Sequence, residues 1–257
     1  MESEQFIRLG FMGCGGMARH HIKAILEQDN NTKITAVCEP SSDAYLATAA
    51  IFRDAGLDLP PNQPNWQDFV NQYNTQLDVV FIVTPHVYHY EQAKACLEAG
   101  LDVLLEKPMV MTANEANDLI NVRDRTGKLL VVAFQGSLSP QVRTAVSMLR
   151  TGELGNIHNI NAMVWQNWDE LTKNTWRQQP ELAGGGFLFD TGAHMLNTVA
   201  DLAGEDFEEV VAWVKKPSKP GGYNSSGDGA AKIWCTGDDE RLWCRNSIMP
   251  FRYSGVL

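Results

Sequence analysis

A glycine-rich turn near the start of the chain has the composition of a phosphate-binding loop. The strand-like run 7–12 leads into Gly13-Cys14-Gly15-Gly16-Met17-Ala18, which has the G-x-G-x-x-A spacing and precedes a helix-like stretch. Gly13 permits a tight turn, Gly15 lets the backbone approach a pyrophosphate, and the small Ala18 lets the helix pack on the strand with its first amides facing the anion. A turn without a ligand is the alternative, which the strand–turn–helix context disfavours. The cofactor-binding candidates here are Gly13, Gly15, Gly16, Met17 and Ala18.

Glu39 indicates which dinucleotide this loop would bind. It ends the second strand-like run, where a carboxylate can accept hydrogen bonds from the adenosine ribose hydroxyls. The same carboxylate would repel a 2′-phosphate, so NAD is favoured over NADP, although Arg53 could offset the repulsion. A solvated residue at a strand end is one alternative for Glu39. A methyltransferase that uses S-adenosylmethionine could also show this loop and this acid, so other residues must indicate redox chemistry.

Lys107, Asp190 and His194 are the candidates for catalysis. Lys107 ends a strand-like run at the carboxyl edge of the expected sheet, where ligands of open α/β folds bind. Asp190 and His194 are four residues apart at the start of a helix, so they share one face. Histidine suits removal of a hydroxyl proton near neutral pH, and a carboxylate can orient the hydroxyl or the imidazole. The alternatives are a surface lysine, a helix N-cap and a buried core histidine.

The order of apolar runs and amphipathic stretches predicts the scaffold of this site. Continuous hydrophobic strands are typical of a parallel sheet that is buried on both faces. The pattern predicts a doubly wound Rossmann domain over residues 1–134, with a parallel sheet of six strands. Gly100 and Gly127 stand where helix C-caps belong, and Thr112 with Glu115 fits a capping box. The strands include 7–12, 33–38, 79–83, 103–105 and 129–134, and the helices include 17–28, 43–55, 90–99 and 113–126.

After about residue 134 the alternation of strand-like and helix-like segments ends, which predicts a second domain over residues 135–257. Turn-rich residues follow at 217–229, and no periodicity is present beyond Trp234. The expected elements of this domain are a helix at 140–150, a long strand at 157–168, a glycine run at 184–186, a helix at 191–203 and a strand at 209–214.

Three motifs in this order resemble one oxidoreductase family. They are Thr84-Pro85-His86, Glu106-Lys107-Pro108 and the stretch 184–194, which reads GGGFLFDTGAH. Together they resemble the glucose-fructose oxidoreductase, inositol dehydrogenase and MocA family over about residues 7–215. The resemblance implies a Rossmann domain followed by an α+β domain with an open, mainly antiparallel sheet. It also implies hydride transfer between NAD(P) and a hydroxyl-bearing carbon of a sugar, inositol or related polyol.

The resemblance also implies roles for the residues of these motifs. Lys107 matches the catalytic lysine, which would hydrogen-bond the reacting hydroxyl and stabilise negative charge on its oxygen. His194 matches the acid/base, with Asp190 beside it, and Glu106 would support the position of the loop. The further residues that the resemblance places near the cofactor are Thr84, Pro85, His86, Glu106 and Lys107.

The substrate pocket is where this chain departs from the family. Members often carry an aspartate three residues after the histidine, whereas this chain has Asn197. Asn197 can hydrogen-bond a sugar hydroxyl but cannot act as a charged base, so specificity is expected to differ. Trp176 and Arg177 stand where family members often line the pocket, and both are further substrate-binding candidates.

Composition limits the partners that the chain could have. A formal net charge of −10 argues against nucleic acid, which needs a concentrated basic face. No apolar run approaches the roughly 18 residues that span a bilayer, and the start has no secretory signal, so a cytoplasmic protein is expected. The five cysteines include no C-x-x-C pair, which favours reduced thiols. No metal is expected, because further ligands do not accompany His86 and His89; these two, like His20 and His21, are interpreted as solvent-facing polar residues.

The end of the chain is where the resemblance fails. Family members are usually longer, and the last residues lack the strands that the second sheet needs, so the C-terminus is expected to be truncated. An incomplete sheet would expose unpaired edges, which favours a homo-oligomer. The alternative to a dehydrogenase is a non-catalytic dinucleotide-binding protein, or an inactive remnant whose substrate domain is incomplete.

Overall fold

The chain divides into two compact units, Met1–Ala133 and Phe134–Leu257. The structure is a computed structural model that describes residues 6–28 and 31–211.

The N-terminal unit is built on a parallel sheet of five strands rather than the expected six, in the order β2-β1-β3-β4-β5. The chain leaves β1 toward one edge to form β2 and returns on the other side to form β3, as in doubly wound folds. The expected Rossmann architecture is therefore confirmed. The strands are β1 (Ile7–Met12), β2 (Thr32–Cys38), β3 (Val79–Ile82), β4 (Asp102–Leu105) and β5 (Leu130–Val132). The helices are α1 (Gly16–Glu27), α2 (Ser42–Asp54), α3 (Trp66–Tyr73), α4 (His89–Glu98) and α5 (Ala113–Thr126).

Hydrophobic side chains cover both faces of this sheet. Leu9 and Phe11 of β1 are buried in one cluster with Ile22 of α1. Met12 belongs to a second cluster with Ile82 of β3. Because successive side chains of a strand point to opposite faces, one short strand supplies both layers. This explains why the strands read as continuous apolar runs.

Local signals in the sequence set the helix ends. Thr112 accepts a hydrogen bond from the Glu115 amide, and the Glu115 carboxylate accepts one from the Thr112 amide, which completes the expected capping box. Gly127 follows α5 in a left-handed conformation with φ of 65°. Helix α3 was not expected, and its N-cap signal is Asn65, which accepts a hydrogen bond from the Asp68 amide.

The described part of the C-terminal unit consists of helices and connecting segments. Helix α6 is held to α10 by ion pairs from Arg143 and Arg150 to Asp201. The helices are α6 (Pro140–Arg150), α7 (Trp168–Leu171), α8 (Pro180–Ala183), α9 (Phe187–Asp190) and α10 (Gly192–Ala203).

The strand expected over 157–168 is wrong, because residues 157–167 form no ladder and Trp168 begins a helix. A strand-like stretch becomes a strand only beside a partner that completes its hydrogen bonds, and none of the described residues of this unit forms a strand. The expected strand 209–214 shows no strand in its described residues, and its end lies outside them, as do the loop 217–229 and the stretch beyond Trp234. Within the described ranges, no helix combines the length and apolar character needed to cross a membrane.

Candidate functional site

The glycine turn after β1 lies against the ends of the two strands that flank β1. Gly13 has a φ of 88°, and a Cβ at this position would lie 2.7 Å from the Val83 carbonyl oxygen. Its amide donates to the Cys38 carbonyl oxygen at 2.9 Å. A side chain here would be strained by the left-handed backbone and would also clash with the Val83 backbone, so glycine is required where the loop meets the residue that follows β3.

The next two glycines face open space instead. A Cβ on Gly15 or Gly16 would have nothing within 4 Å. Gly15 is the N-cap of α1, whose first turn has no acidic residue. The amides that open a helix have no acceptor within it and carry a partial positive charge, so this end of α1 suits an anion. Met17 is 42% exposed beside the opening, whereas Ala18 is fully buried and lets α1 pack on the sheet.

Glu39 holds the glycine turn from the end of β2. One carboxylate oxygen accepts from the Cys14 amide at 2.7 Å, and the other accepts from the Ser41 amide at 2.8 Å. Each carboxylate oxygen can accept a further hydrogen bond, so the side chain keeps capacity for a ribose hydroxyl. The residue is 8% exposed, which corrects the alternative of a solvated strand-end glutamate. Burial and the charge of Glu39 raise the pKa of the Cys14 thiol to about 12.

The segment after β3 carries the Thr84-Pro85-His86 motif. The Thr84 hydroxyl donates to the buried Gln92 side chain at 2.7 Å. His86 is 2% exposed and His89 is fully buried, so their interpretation as solvent-facing residues was wrong. Both ring nitrogens of His89 lie 2.9 Å from backbone carbonyl oxygens, those of Pro108 and Thr84. A helix start that is buried against a neighbouring loop accounts for this difference, and the single sequence carries no signal for it.

The Glu106-Lys107-Pro108 motif follows β4 at the carboxyl edge of the sheet. Glu106 is 9% exposed, Lys107 is half-buried, and the Lys107–Pro108 peptide bond is cis. His21 of α1 donates through Nε2 to Glu106 Oε1 at 2.8 Å, and the Lys107 amide donates to Glu106 Oε2 at 3.2 Å. Burial alone would raise the pKa of Glu106, but the hydrogen bond and charge of His21 and the amide and charge of Lys107 bring it below its ordinary value. His21 was interpreted as solvent-facing from the sequence, and the structure corrects this.

In the C-terminal unit, Asp190 lies at the end of α9 and is only 4% exposed. Its Oδ2 accepts from the Trp168 indole at 2.8 Å and from Arg177 Nε at 3.2 Å. The Arg177 guanidinium also stacks over the Trp176 ring, 4.4 Å from its centroid. Asp190 is thus a positioned, charge-paired carboxylate rather than the N-cap that the sequence left open, since the N-cap of α10 is Thr191.

His194 and Asn197 lie on α10, whereas Asp190 ends α9, so the expectation that Asp190 and His194 share one face of a single helix was wrong. The His194 ring meets the Phe134 ring edge-on at 5.8 Å. Asn197 Oδ1 accepts from the Ser137 hydroxyl at 2.5 Å. A half-buried imidazole and an amide on one helix could both address a hydroxylated ligand. Trp168, the indole donor to Asp190, was missed by sequence reasoning, because its spacing from Asp190 has no motif.

These contacts define a class of protein by fold and site. A parallel doubly wound sheet, an open glycine turn at the first helix and an acid at the end of β2 form a dinucleotide-binding Rossmann domain. The residues present fit the dinucleotide, since the space beyond Gly15 and Gly16 admits a pyrophosphate and Glu39 admits a ribose.

Comparison with known proteins gives the same class and adds a match over the C-terminal part of the chain. Residues 7–134 match the model of an oxidoreductase family with an NAD-binding Rossmann fold, and residues 142–238 match the C-terminal domain of GFO/IDH/MocA proteins. The chain belongs to this Gfo/Idh/MocA family of oxidoreductases.

Several members of known name are similar to the chain. It is 27% identical to levoglucosan dehydrogenase of Pseudarthrobacter phenanthrenivorans, over 87% of this chain and 59% of that protein. It is 26% identical to D-glucoside 3-dehydrogenase of Escherichia coli, over 77% of this chain and 54% of that protein. A solved structure of a levoglucosan dehydrogenase with NADH and levoglucosan has a TM-score of 0.71 at 24% identity, covering 82% of this chain and 57% of that one. The chain therefore spans less than two thirds of the length of these relatives.

Proposed function

We propose that the chain is an NAD-dependent oxidoreductase that moves a hydride between the nicotinamide ring and a hydroxyl-bearing carbon of a sugar or related polyol. The observation that carries this proposal is the pairing of an open glycine turn with a fixed acid: space beyond Gly15 and Gly16, and a Glu39 carboxylate anchored by the Cys14 and Ser41 amides. Relatives that act on sugars, levoglucosan dehydrogenase and D-glucoside 3-dehydrogenase, support the substrate class.

The first half of the proposal concerns cofactor binding. Gly13 shapes the turn, the amides of Gly16, Met17 and Ala18 face the pyrophosphate, and Glu39 accepts from the ribose hydroxyls. The carboxylate disfavours a 2′-phosphate, so NAD is preferred to NADP. The residues assigned to the nicotinamide side are Thr84, Pro85, His86, Glu106 and Lys107. The bound nicotinamide ring supplies the hydride acceptor or donor.

The second half concerns the substrate hydroxyl. Lys107 donates a hydrogen bond to the reacting oxygen and stabilises the negative charge that develops there. His194 takes the hydroxyl proton in oxidation and returns it in reduction. Asp190 is held by Trp168 and Arg177, so it presents a fixed negative charge at the end of α9, four residues before His194 in the chain. Trp176, Arg177 and Asn197 line the substrate pocket in this proposal.

The test of this proposal begins with fluorescence titrations of NADH and NADPH. Wild type is expected to bind NADH more tightly than NADPH, and Gly15→Val is expected to lose both because its side chain fills the open space. A panel of sugars and inositols is then offered with NAD, and NADH absorbance is followed. Lys107→Ala and His194→Ala should each lower turnover by roughly 100- to 1,000-fold, whereas Lys23→Ala and His158→Ala, which alter exposed residues of the same types, should not. Binding of NADH without turnover on any polyol would instead support the non-catalytic dinucleotide-binding protein.

Two wider predictions from the sequence stay predictions. Homo-oligomerisation can be measured by sedimentation, and cytoplasmic location by fractionation of the native host.

A further inference from the structure

Three consecutive residues, Glu106, Lys107 and Pro108, are each held by a hydrogen bond outside the strand ladder. The Glu106 side chain accepts from His21, the Lys107 amide donates to Glu106, and the Pro108 carbonyl faces His89. Lys107 itself has a long, rotatable side chain whose head group can be placed only as well as its backbone is fixed. The contacts that fix this turn therefore also determine where the Lys107 head group can lie.

His21 reaches the turn from α1, which begins at the glycine loop. Its contact with Glu106 joins residues that are 85 positions apart, and its ring is also packed edge-on against Phe81 of β3 at 5.9 Å. The packing limits the rotation of the imidazole, so Nε2 is directed at Glu106 Oε1. Since the other carboxylate oxygen accepts from the Lys107 amide, His21 restrains Lys107 through Glu106.

His89 reaches the same turn from the start of α4. It is fully buried, and its Nδ1 faces the Pro108 carbonyl while its Nε2 faces the Thr84 carbonyl, each at 2.9 Å. Burial lowers the pKa of His89; the contacts with Pro108 and Thr84 and the charge of Glu106 raise it but do not restore its ordinary value. The neutral ring carries one N–H, so it donates to one carbonyl at a time. With the proton on Nδ1, this bond would join α4 to the turn formed by Glu106, Lys107 and Pro108, the lysine turn.

We propose that His21 and His89 are positioning residues that fix the backbone of Lys107 from two helices, one through Glu106 and one through Pro108. This inference rests on the proposed function only in naming Lys107 as the residue that touches substrate. A displacement of about 1 Å in a catalytic group can cost roughly 100-fold in rate. Loss of either contact is therefore expected to lower kcat by roughly 10- to 100-fold, with a smaller effect on NADH affinity, because the glycine turn and Glu39 that hold the pyrophosphate and ribose are unchanged.

Isosteric variants separate these contacts. Glutamine places its amide near the position of histidine Nε2, and asparagine places its amide near Nδ1. His21→Gln should therefore retain the function that His21→Leu loses, and His89→Asn should retain more than His89→Gln. His20→Leu is the matched control, because His20 is the exposed neighbour of His21 on the same helix. Circular dichroism and NADH titration of each variant establish that the N-terminal unit is folded.

Two readouts do not depend on turnover. Long-range 1H–15N spectra of wild type should show a proton on His89 Nδ1; a ring protonated on Nε2 alone would overturn the role of His89. Hydrogen exchange of the Lys107 amide should accelerate in His21→Leu and not in His20→Leu; equal exchange in the two would overturn the role of His21.

Turnover on levoglucosan, glucose or myo-inositol with NAD supplies the third readout. In a double-mutant cycle, His21→Leu should lower kcat in the wild-type background and have no further effect in Lys107→Ala. An equal loss in both backgrounds would mean that His21 does not act through Lys107. If wild type binds NADH but oxidises none of these compounds, the proposed function fails, and the spectra and amide exchange still decide the roles of both histidines.

Discussion

Alanine at two glycines of the cofactor loop should affect different properties: Gly13→Ala should lower the free energy of unfolding, and Gly15→Ala should weaken NADH binding. Gly13 and Gly15 are two residues apart, and Gly13→Ala and Gly15→Ala add the same methyl group. At Gly13 the methyl meets the Val83 carbonyl oxygen at 2.7 Å on a backbone with φ of 88°. At Gly15 it meets nothing within 4 Å, and the φ of −68° is one that alanine adopts readily.

The structure gives a magnitude for each change. A left-handed backbone costs alanine about 1–2 kcal/mol, and forcing a methyl against packed backbone costs about 1–3 kcal/mol more, so Gly13→Ala should lose roughly 2–5 kcal/mol of unfolding free energy. Gly15→Ala should keep its stability or gain up to about 1 kcal/mol, because alanine restricts the unfolded chain. If the open space holds the pyrophosphate, the methyl displaces a charge-assisted hydrogen bond worth about 1.5–3 kcal/mol, which weakens NADH binding roughly 10- to 100-fold.

Two assays separate stability from binding. Hydrogen exchange of the β1 and β3 amides reports the opening free energy of the N-terminal unit by itself, and NADH fluorescence reports affinity. Gly13→Ala with wild-type protection would refute the steric argument at the crossing with Val83. Gly15→Ala with wild-type stability and wild-type affinity would refute the assignment of the open space to the dinucleotide.

Three further predictions follow from contacts described above. Thr112→Ala removes the capping box of α5 and should cost about 1 kcal/mol in urea unfolding, whereas an unchanged midpoint would mean that the cap is not formed. Cys14 and Cys38 are buried, and burial raises the pKa of each thiol to about 12, so peptide mass spectrometry should find both unlabelled by iodoacetamide until urea is added. The pKa of Glu106 is lowered on folding, so its stabilisation is complete above its unfolded pKa and is lost as pH falls through the folded value. Glu106→Gln should therefore flatten the acid side of the stability profile, and an unchanged acid slope would count against the contact with His21.

The N-terminal unit was largely predictable from sequence because its signals are local. The spacing of Gly13 and Ala18 predicts the turn, and Thr112 and Gly127 predict the two ends of α5 to within one residue. Hydrophobic runs identify parallel strands, since both of their faces are buried. Each of these signals depends on residues a few positions apart, which a single sequence displays.

Contacts between distant residues were not predictable in this way. His21 and His89 were interpreted as solvent-facing polar residues, yet they contact the Glu106–Pro108 turn. Trp168 was expected to end a strand, yet it begins α7 and donates to Asp190. The stretch 157–168 has a strand-like residue pattern but no neighbour among the described strands, so the pattern alone predicted the wrong element. Tertiary pairing decides all of these cases.

The position of β1 between β2 and β3 has a consequence for biosynthesis. This strand emerges from the ribosome early, but its second partner in the sheet is β3, and the Arg8–Asp78 contact beside it spans 70 residues. The His21–Glu106 contact spans 85 residues. At a translation rate of about 5–20 residues per second, the edge of β1 that pairs with β3 keeps its backbone hydrogen-bonding groups unpaired for several seconds. We therefore expect the nascent N-terminal unit to engage chaperones during this interval, and to complete its lysine turn only after the cofactor loop has formed.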